Sequence, residues 1–293
     1  MSLLKGILAA VFIGAITILV CLPLFVAGII RPILPQRLKS PLSHRMDWII
    51  DAWVGSNRWL MRVLALTKVN ITWEDAESLS LKHWYIVVCN HQSWSDILLL
   101  QTNLFRHIPP LKFFTKQQLL WIPFLGTALW LLGFPYVKRT RKSQISKNPK
   151  LKGGDKRSTL EACEGFKNHP TSVLNFLEGT RFTPDKRESQ NTNFHHLLKP
   201  RIGGLGYVLG GLNDQLDKML DVTIIYPEGI PSFWQFLKGE CKQVDMLIQC
   251  RDIPEPIRFF ESDREQRKLL GPWIDGLWQE KDHRLPPYRE LAA

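Results

Sequence analysis

Cysteine is scarce in this 293-residue chain: Cys21, Cys89, Cys163, Cys241 and Cys250 are the whole set. The number is odd and no two form a C-x-x-C pair, which argues against a disulfide framework and a thiolate zinc site and fits a reducing compartment. Acidic residues are also few: 27 Asp and Glu stand against 38 Lys and Arg, giving a formal charge of +11 and a pI near 9.5. Such an excess implies an anionic partner: nucleic acid, an anionic membrane surface or a phosphorylated small molecule. No recognisable nucleic-acid motif is present, so the first of these lacks support. There is no internal repeat and no low-complexity tract. With 45% apolar residues, the chain can bury a sizeable core.

The most telling absence is of charge. Residues 6–30 contain none. As a helix this run reaches about 37 Å, enough to cross about 30 Å of hydrocarbon. A cleavable signal has a much shorter apolar region, so a retained anchor is expected. Pro23 and Gly28 leave open a re-entrant hairpin in place of a span. Lys5 alone precedes the run, whereas Arg31, Arg37, Lys39 and Arg45 follow it. The positive-inside rule then puts the rest of the chain in the cytoplasm, against the inner membrane if the source is bacterial.

After Pro41, Met46, Ile49, Ile50, Trp53, Val54, Leu60, Met61 and Leu64 recur at helical spacing. Trp48, Trp53 and Trp59 suit a bilayer interface, and a helix packed on the domain is the equal alternative. The expected division is therefore a membrane-anchoring segment over 1–66 and a main domain over 67–293. The latter is read as α/β, with a mixed, largely parallel sheet flanked by helices. Strands are expected at 84–89, 112–115, 171–177 and 222–226, and helices from Ile97, over 158–166 and over 273–282.

The chemistry concentrates in Asn90-His91-Gln92-Ser93-Trp94-Ser95-Asp96, directly after the strand ending at Cys89. In open α/β sheets reactive groups gather where strands give way to helices. A histidine can take a proton near neutral pH, and an aspartate one turn on can reach its second ring nitrogen. A capping Asn90, a core histidine and a helix-start aspartate are the plain reading of the same residues. Glu178-Gly179-Thr180-Arg181 follows a second apolar strand. There Gly179 permits close backbone approach, and Arg181 presents a planar fork that fits phosphate. A turn with a solvated arginine is the plain reading.

Together these elements resemble the glycerolipid acyltransferases, the family that includes 1-acylglycerol-3-phosphate (lysophosphatidic acid) acyltransferases. The likeness is to N-H-x-x-x-x-D and F-P-E-G-T-R, the latter standing here as Phe176-Leu177-Glu178-Gly179-Thr180-Arg181 with Leu177 in place of proline. Gly133-Phe134-Pro135-Tyr136-Val137-Lys138-Arg139 is similar to a third block, with Lys138 where an acidic or amide residue is common. Val222-Thr223-Ile224-Ile225-Tyr226-Pro227 is similar to a fourth, and the four run in order over about 69–229. Phe182-Thr183, Leu198-Lys199-Pro200-Arg201 and Glu280-Lys281-Asp282 resemble one branch of the family.

The resemblance implies His91 as general base and Asp96 as its orienting partner. It implies Arg139 and Arg181 on the acceptor phosphate, in a pocket shaped by Glu178, Gly179 and Thr180. The implied reaction carries a fatty acyl group from acyl-CoA or acyl-carrier protein to the sn-2 hydroxyl of 1-acylglycerol-3-phosphate. It needs no metal and no cofactor; the partners are membrane lipids, the lysophospholipid acceptor and the thioester donor, with no nucleic acid. Another lyso-acceptor, such as lysophosphatidylglycerol, and a non-catalytic basic membrane scaffold are the rival readings.

Three features qualify this picture. Cys89 lies two residues from His91, so a Cys–His nucleophile pair is conceivable, although cysteine there is ordinarily a small hydrophobe. Residues 119–137 are uncharged, but a single crossing there would leave His91 and the two arginines on opposite sides of the bilayer. That stretch is therefore expected to line the acyl groove or rest on the membrane. Residues 138–157 hold nine basic residues and one acid, which fits either attraction to anionic lipid or a solvated loop.

Overall fold

The structure, a computed structural model, describes residues 1–30, 46–77, 79–121, 125–137, 153–260 and 262–292. Arg139 and most of the basic run over 138–157 lie outside these residues. In chain order the elements are α1 (Ser2–Ile30), α2 (Asp47–Val63), β1 (Lys68–Glu74), β2 (Trp84–Cys89), α3 (Ser95–Leu104), β3 (Leu111–Phe113) and β4 (Thr115–Lys116). A 3-10 turn, Gln117–Trp121, leads to α4 (Leu125–Leu131), β5 (Tyr136–Val137), α5 (Gly154–Phe166), β6 (Ser172–Phe176), α6 (Pro184–Gln190) and α7 (Ile202–Leu212). The chain continues through β7 (Leu216–Ile225), α8 (Phe233–Leu237), β8 (Gln243–Asp252), α9 (Glu255–Arg258) and α10 (Asp263–Arg284).

Six strands form one sheet in the order β1-β8-β7-β2-β6-β3. All neighbours are parallel except β7 and β8, which are antiparallel. The mixed, largely parallel α/β sheet expected from the strand–helix alternation is present. β2 is central and apolar throughout because helices cover both faces. Tyr85, Val87 and Cys89 point into one core layer with α2, α3 and the start of α1. Ile86 and Val88 point into the other with α5, α7 and α10. The sheet thus delivers the C-terminal ends of β2, β6 and β7 to one edge.

Boundaries differ from expectation where polar residues are paired in three dimensions. β7 begins six residues before Val222, because Asp221 and Lys218 have partners: Lys281 at 2.6 Å and Asp252 at 2.6 Å. β8 is an element not expected from the sequence, although Val244, Met246, Ile248 and Cys250 alternate into the core. α10 starts ten residues before Trp273, where the Ser262 hydroxyl accepts the Glu265 amide at 3.2 Å and caps it.

α1 is long and apolar enough to cross a membrane. One of its faces is nonetheless laid along the domain. Lys5 Nζ donates to the Ala65 carbonyl at 3.3 Å. A Cβ at Gly6 would come within 2.8 Å of the Lys238 side chain. Ala9 enters the main core, Thr17 Oγ1 accepts from Trp53 Nε1 at 2.9 Å, and Cys21 and Leu24 pack with Met46, Ile49, Ala128 and Leu131. The opposite face, including Leu4, Leu8, Val11, Ile18, Leu22 and Ile29, is exposed. α2 buries Ile49, Ile50, Val54, Leu60 and Met61, while Trp48 and Trp59 stay exposed. α2 thus packs one face on the domain, the second of its two readings, and two of its tryptophans look outward. The stretch over 119–137 breaks into a short turn, α4 and β5; Ala128, Leu131 and Phe134 are buried against α1 and α2.

Candidate active site

β2 ends at Cys89, and the next side chain works as an extra rung of the sheet. Asn90 Nδ2 donates to the Ile224 carbonyl and Oδ1 accepts the Ile224 amide, both at 2.9 Å. Asn90 is thus a clamp between β2 and β7 and not a helix cap. It fixes where the chain leaves the sheet, and His91 follows at the mouth of a cleft.

His91 Nδ1 lies 2.9 Å from Asp96 Oδ2. The same oxygen accepts the amides of Gln92 at 2.7 Å and Ser93 at 2.9 Å. Asp96 Oδ1 accepts the Tyr226 hydroxyl at 2.5 Å, and that hydroxyl is 3.0 Å from Ser95 Oγ. The carboxylate is fully buried, so these donors replace its hydration. Acting as acceptor, it holds the proton of His91 on Nδ1 and leaves Nε2 for the cleft. The imidazole stacks on Phe176, with ring centroids 4.0 Å apart and planes 17° from parallel. Tyr226 is a site residue whose role the motifs do not reveal; in sequence it stands only as a member of the fourth block, at the end of an apolar strand. Burial pushes its phenol well above the usual range, which keeps it a proton donor to Asp96.

The loop after β6 meets this turn. Gly179 adopts a positive φ of 69°, a conformation glycine takes without a Cβ penalty. Thr180 Oγ1 accepts from Lys186 Nζ at 3.1 Å, and the same ammonium reaches the Arg181 carbonyl at 2.8 Å. The Arg181 guanidinium lies 4.7 Å over the Trp94 ring. Glu178 is placed differently from a pocket wall. It is fully buried, with Oε1 accepting the His91 amide at 2.7 Å and Oε2 accepting the Leu198 amide at 3.0 Å. Burial pushes its carboxyl up to about 8, against the pull of those two amides. It ties two loops together from behind the cleft.

The cleft itself encloses about 180 Å³. His91, Trp94, Gly179, Thr180 and Arg181 form its polar end, and Ile97, Phe113, Phe114, Leu174 and Phe176 its apolar side. His91, Asp96 and Arg181 are thereby brought together, with Gly179 and Thr180 beside them. Cys89 faces the core, fully buried, and burial raises its thiol well above the ordinary range. That environment suppresses the thiolate a nucleophile needs.

Residues 70–208 match the acyltransferase family profile. Over 282 residues the chain is 26% identical to lysocardiolipin acyltransferase 1 of Gallus gallus, covering 88% of this chain and 68% of that protein. It is 28% identical over 228 residues to 1-acyl-sn-glycerol-3-phosphate acyltransferase epsilon of Mus musculus, covering 68% of this chain and 56% of the relative. The chain therefore spans between about half and two thirds of these relatives' lengths. The crystal structure of the 1-acyl-sn-glycerophosphate acyltransferase PlsC from Thermotoga maritima shares the fold. Its TM-score is 0.52 at 19% identity, over 97% of this chain and 99% of that one.

Proposed function

We propose that the chain is a member of the glycerolipid acyltransferases and that it moves a fatty acyl group from acyl-CoA or acyl-carrier protein to the sn-2 hydroxyl of 1-acylglycerol-3-phosphate, giving phosphatidic acid. The observation that carries this reading is the pairing of His91 Nδ1 with the buried Asp96 carboxylate, which leaves the other ring nitrogen at a cleft. A glycerol hydroxyl is a poor nucleophile until it loses its proton. His91 Nε2 takes that proton as the oxygen attacks the thioester carbon; the C–O bond forms, the C–S bond breaks, and the imidazolium returns the proton to the leaving thiolate. Asp96 stabilises the imidazolium in between.

Arg181 holds the acceptor phosphate with Arg139, which lies outside the described residues. Trp94 spreads the Arg181 guanidinium as a flat platform, and the apolar side of the cleft takes an acyl chain. The outer face of α1 and the exposed Trp48 and Trp59 meet the bilayer, with the domain on the cytoplasmic side, where anionic lipid attracts a chain of net charge +11. The rival acceptor is a phosphodiester such as lysophosphatidylglycerol or a lysocardiolipin, favoured by the relatives that align along most of the chain. Purified protein assayed with all three acceptors decides between them. The highest kcat/KM is expected for lysophosphatidic acid, because a monoester offers two guanidinium groups more charge and more free oxygens. Equal or better use of a diester would overturn that choice while leaving the chemistry intact.

A further inference from the structure

α10 lies beyond the residues matched to the family, yet its last turns are hydrogen-bonded into the catalytic loops. The buried Asp282 accepts the His195 amide on one oxygen and the His196 amide on the other, each at 2.7 Å. One turn earlier Trp278 Nε1 donates to the Leu198 carbonyl at 3.0 Å. Between them Lys281, also buried, reaches Asp221 at 2.6 Å and the Val222 carbonyl at 2.5 Å, which ties the helix to β7. The segment so held is the one that touches the site. Leu198 donates its amide to Glu178, whose other oxygen takes the amide of His91. Three residues on, the Arg201 amide donates to the Leu177 carbonyl at 2.7 Å. The Arg201 side chain then lies against Gly179, where a Cβ would come within 3.1 Å of its Cδ.

Burying a carboxylate and an ammonium at the end of a helix is unfavourable unless each finds several partners. Apolar side chains would seat α10 on the sheet at lower cost. What the polar groups add is direction: Asp282 fixes two backbone amides of a loop that carries no regular structure, and Lys281 fixes the helix that carries it to β7. We propose that Asp282 is a positioning residue for acyl transfer. Through the segment 195–201 it sets the Glu178–Arg181 loop against His91, and with it the grip on the acceptor phosphate. This rests on that loop being the acceptor side of the cleft.

The test uses the full-length protein and three variants. Asp282→Ala frees both amides and is expected to raise the acceptor KM about tenfold or more, with the KM for the acyl thioester within about twofold. Asp282→Asn keeps one carbonyl acceptor and recovers part of the loss, and it carries the comparison if the alanine variant does not fold. Ile274→Ala, a fully buried apolar site on the same helix, lowers the melting temperature without moving the acceptor KM. An unchanged acceptor KM in folded Asp282→Ala, equal rises in both Michaelis constants, or the same effect from Ile274→Ala would overturn the proposal. Backbone amide exchange at His91 and Leu198 tests the linkage without substrate: faster exchange in Asp282→Ala than in Ile274→Ala supports it, and equal exchange refutes it. Failure of the wild-type chain to acylate any lysophospholipid would refute the acceptor reading, and the exchange comparison would still judge Asp282.

Discussion

Replacing Asp96 by asparagine separates the charge of the carboxylate from its geometry. Oδ2 accepts three donors, the His91 ring and the amides of Gln92 and Ser93, whereas Oδ1 accepts only the Tyr226 hydroxyl. An asparagine therefore places its carbonyl oxygen at the three-donor position and its NH2 toward Tyr226. That phenol can accept the new bond and turn its own hydrogen to Ser95 Oγ, 3.0 Å away. The hydrogen-bond inventory closes, so unfolding stability is expected to fall by no more than about 1–2 kcal/mol. His91 keeps the same tautomer, and what disappears is the stabilisation of the imidazolium. A hydrogen bond to a charged group contributes about 1.5–3 kcal/mol, and a unit pair about 4 Å apart at an effective dielectric of 20 gives about 4 kcal/mol. A loss of 2–4 kcal/mol corresponds to about a 30- to 1,000-fold lower kcat. The flipped amide would force the wrong tautomer and cost about 10⁴-fold, as in other His–Asp pairs. Thiol release from the acyl thioester, followed with a disulfide reagent, reads the rate; the described cysteines are buried and add little background. A folded Asp96→Asn protein within about fivefold of wild type would show that no imidazolium forms in the rate-limiting step.

Other perturbations follow from the same geometry. Trp94→Ala removes an exposed cation–π platform under Arg181; acceptor KM should rise about two- to fivefold, Trp94→Phe should restore most of it, and no change would mean the stack is idle. Glu178, whose carboxyl rises from 4.5 to about 8 on burial, holds a proton in the folded chain that the unfolded chain has lost between those values. Its contribution to stability therefore falls as pH rises through that window; melting curves across it should show a shallower decline in Glu178→Gln, and parallel curves would contradict the assignment. Both ends of α1 are tied to the domain, through Lys5 with Ala65 and through Gly28 with Leu131. Cysteines introduced at Ser2 and Asp185 should therefore label from the same side of the membrane; opposite sides would mean that α1 crosses the bilayer.

Local pattern in the sequence determined much of this protein. The uncharged run over 6–30 and the apolar strand Trp84–Cys89 are properties of neighbouring residues, while His91, Asp96 and the Glu178–Arg181 loop stood out by their resemblance to a family's motifs. They were legible without a fold, and so was the α/β class. Tertiary structure decided what depends on residues distant in the chain. Tyr226 completes the Asp96 carboxylate from 130 residues away. Asn90 turns out to pair with Ile224, and β7 extends over polar residues because Lys281 and Asp252 neutralise them. Glu178, which in sequence stands among phosphate-binding neighbours, faces away from the cleft and joins His91 to Leu198. A buried polar side chain takes its role from whichever donors the fold brings within about 3 Å. Those donors come from other strands and helices, so no local pattern in the sequence records them.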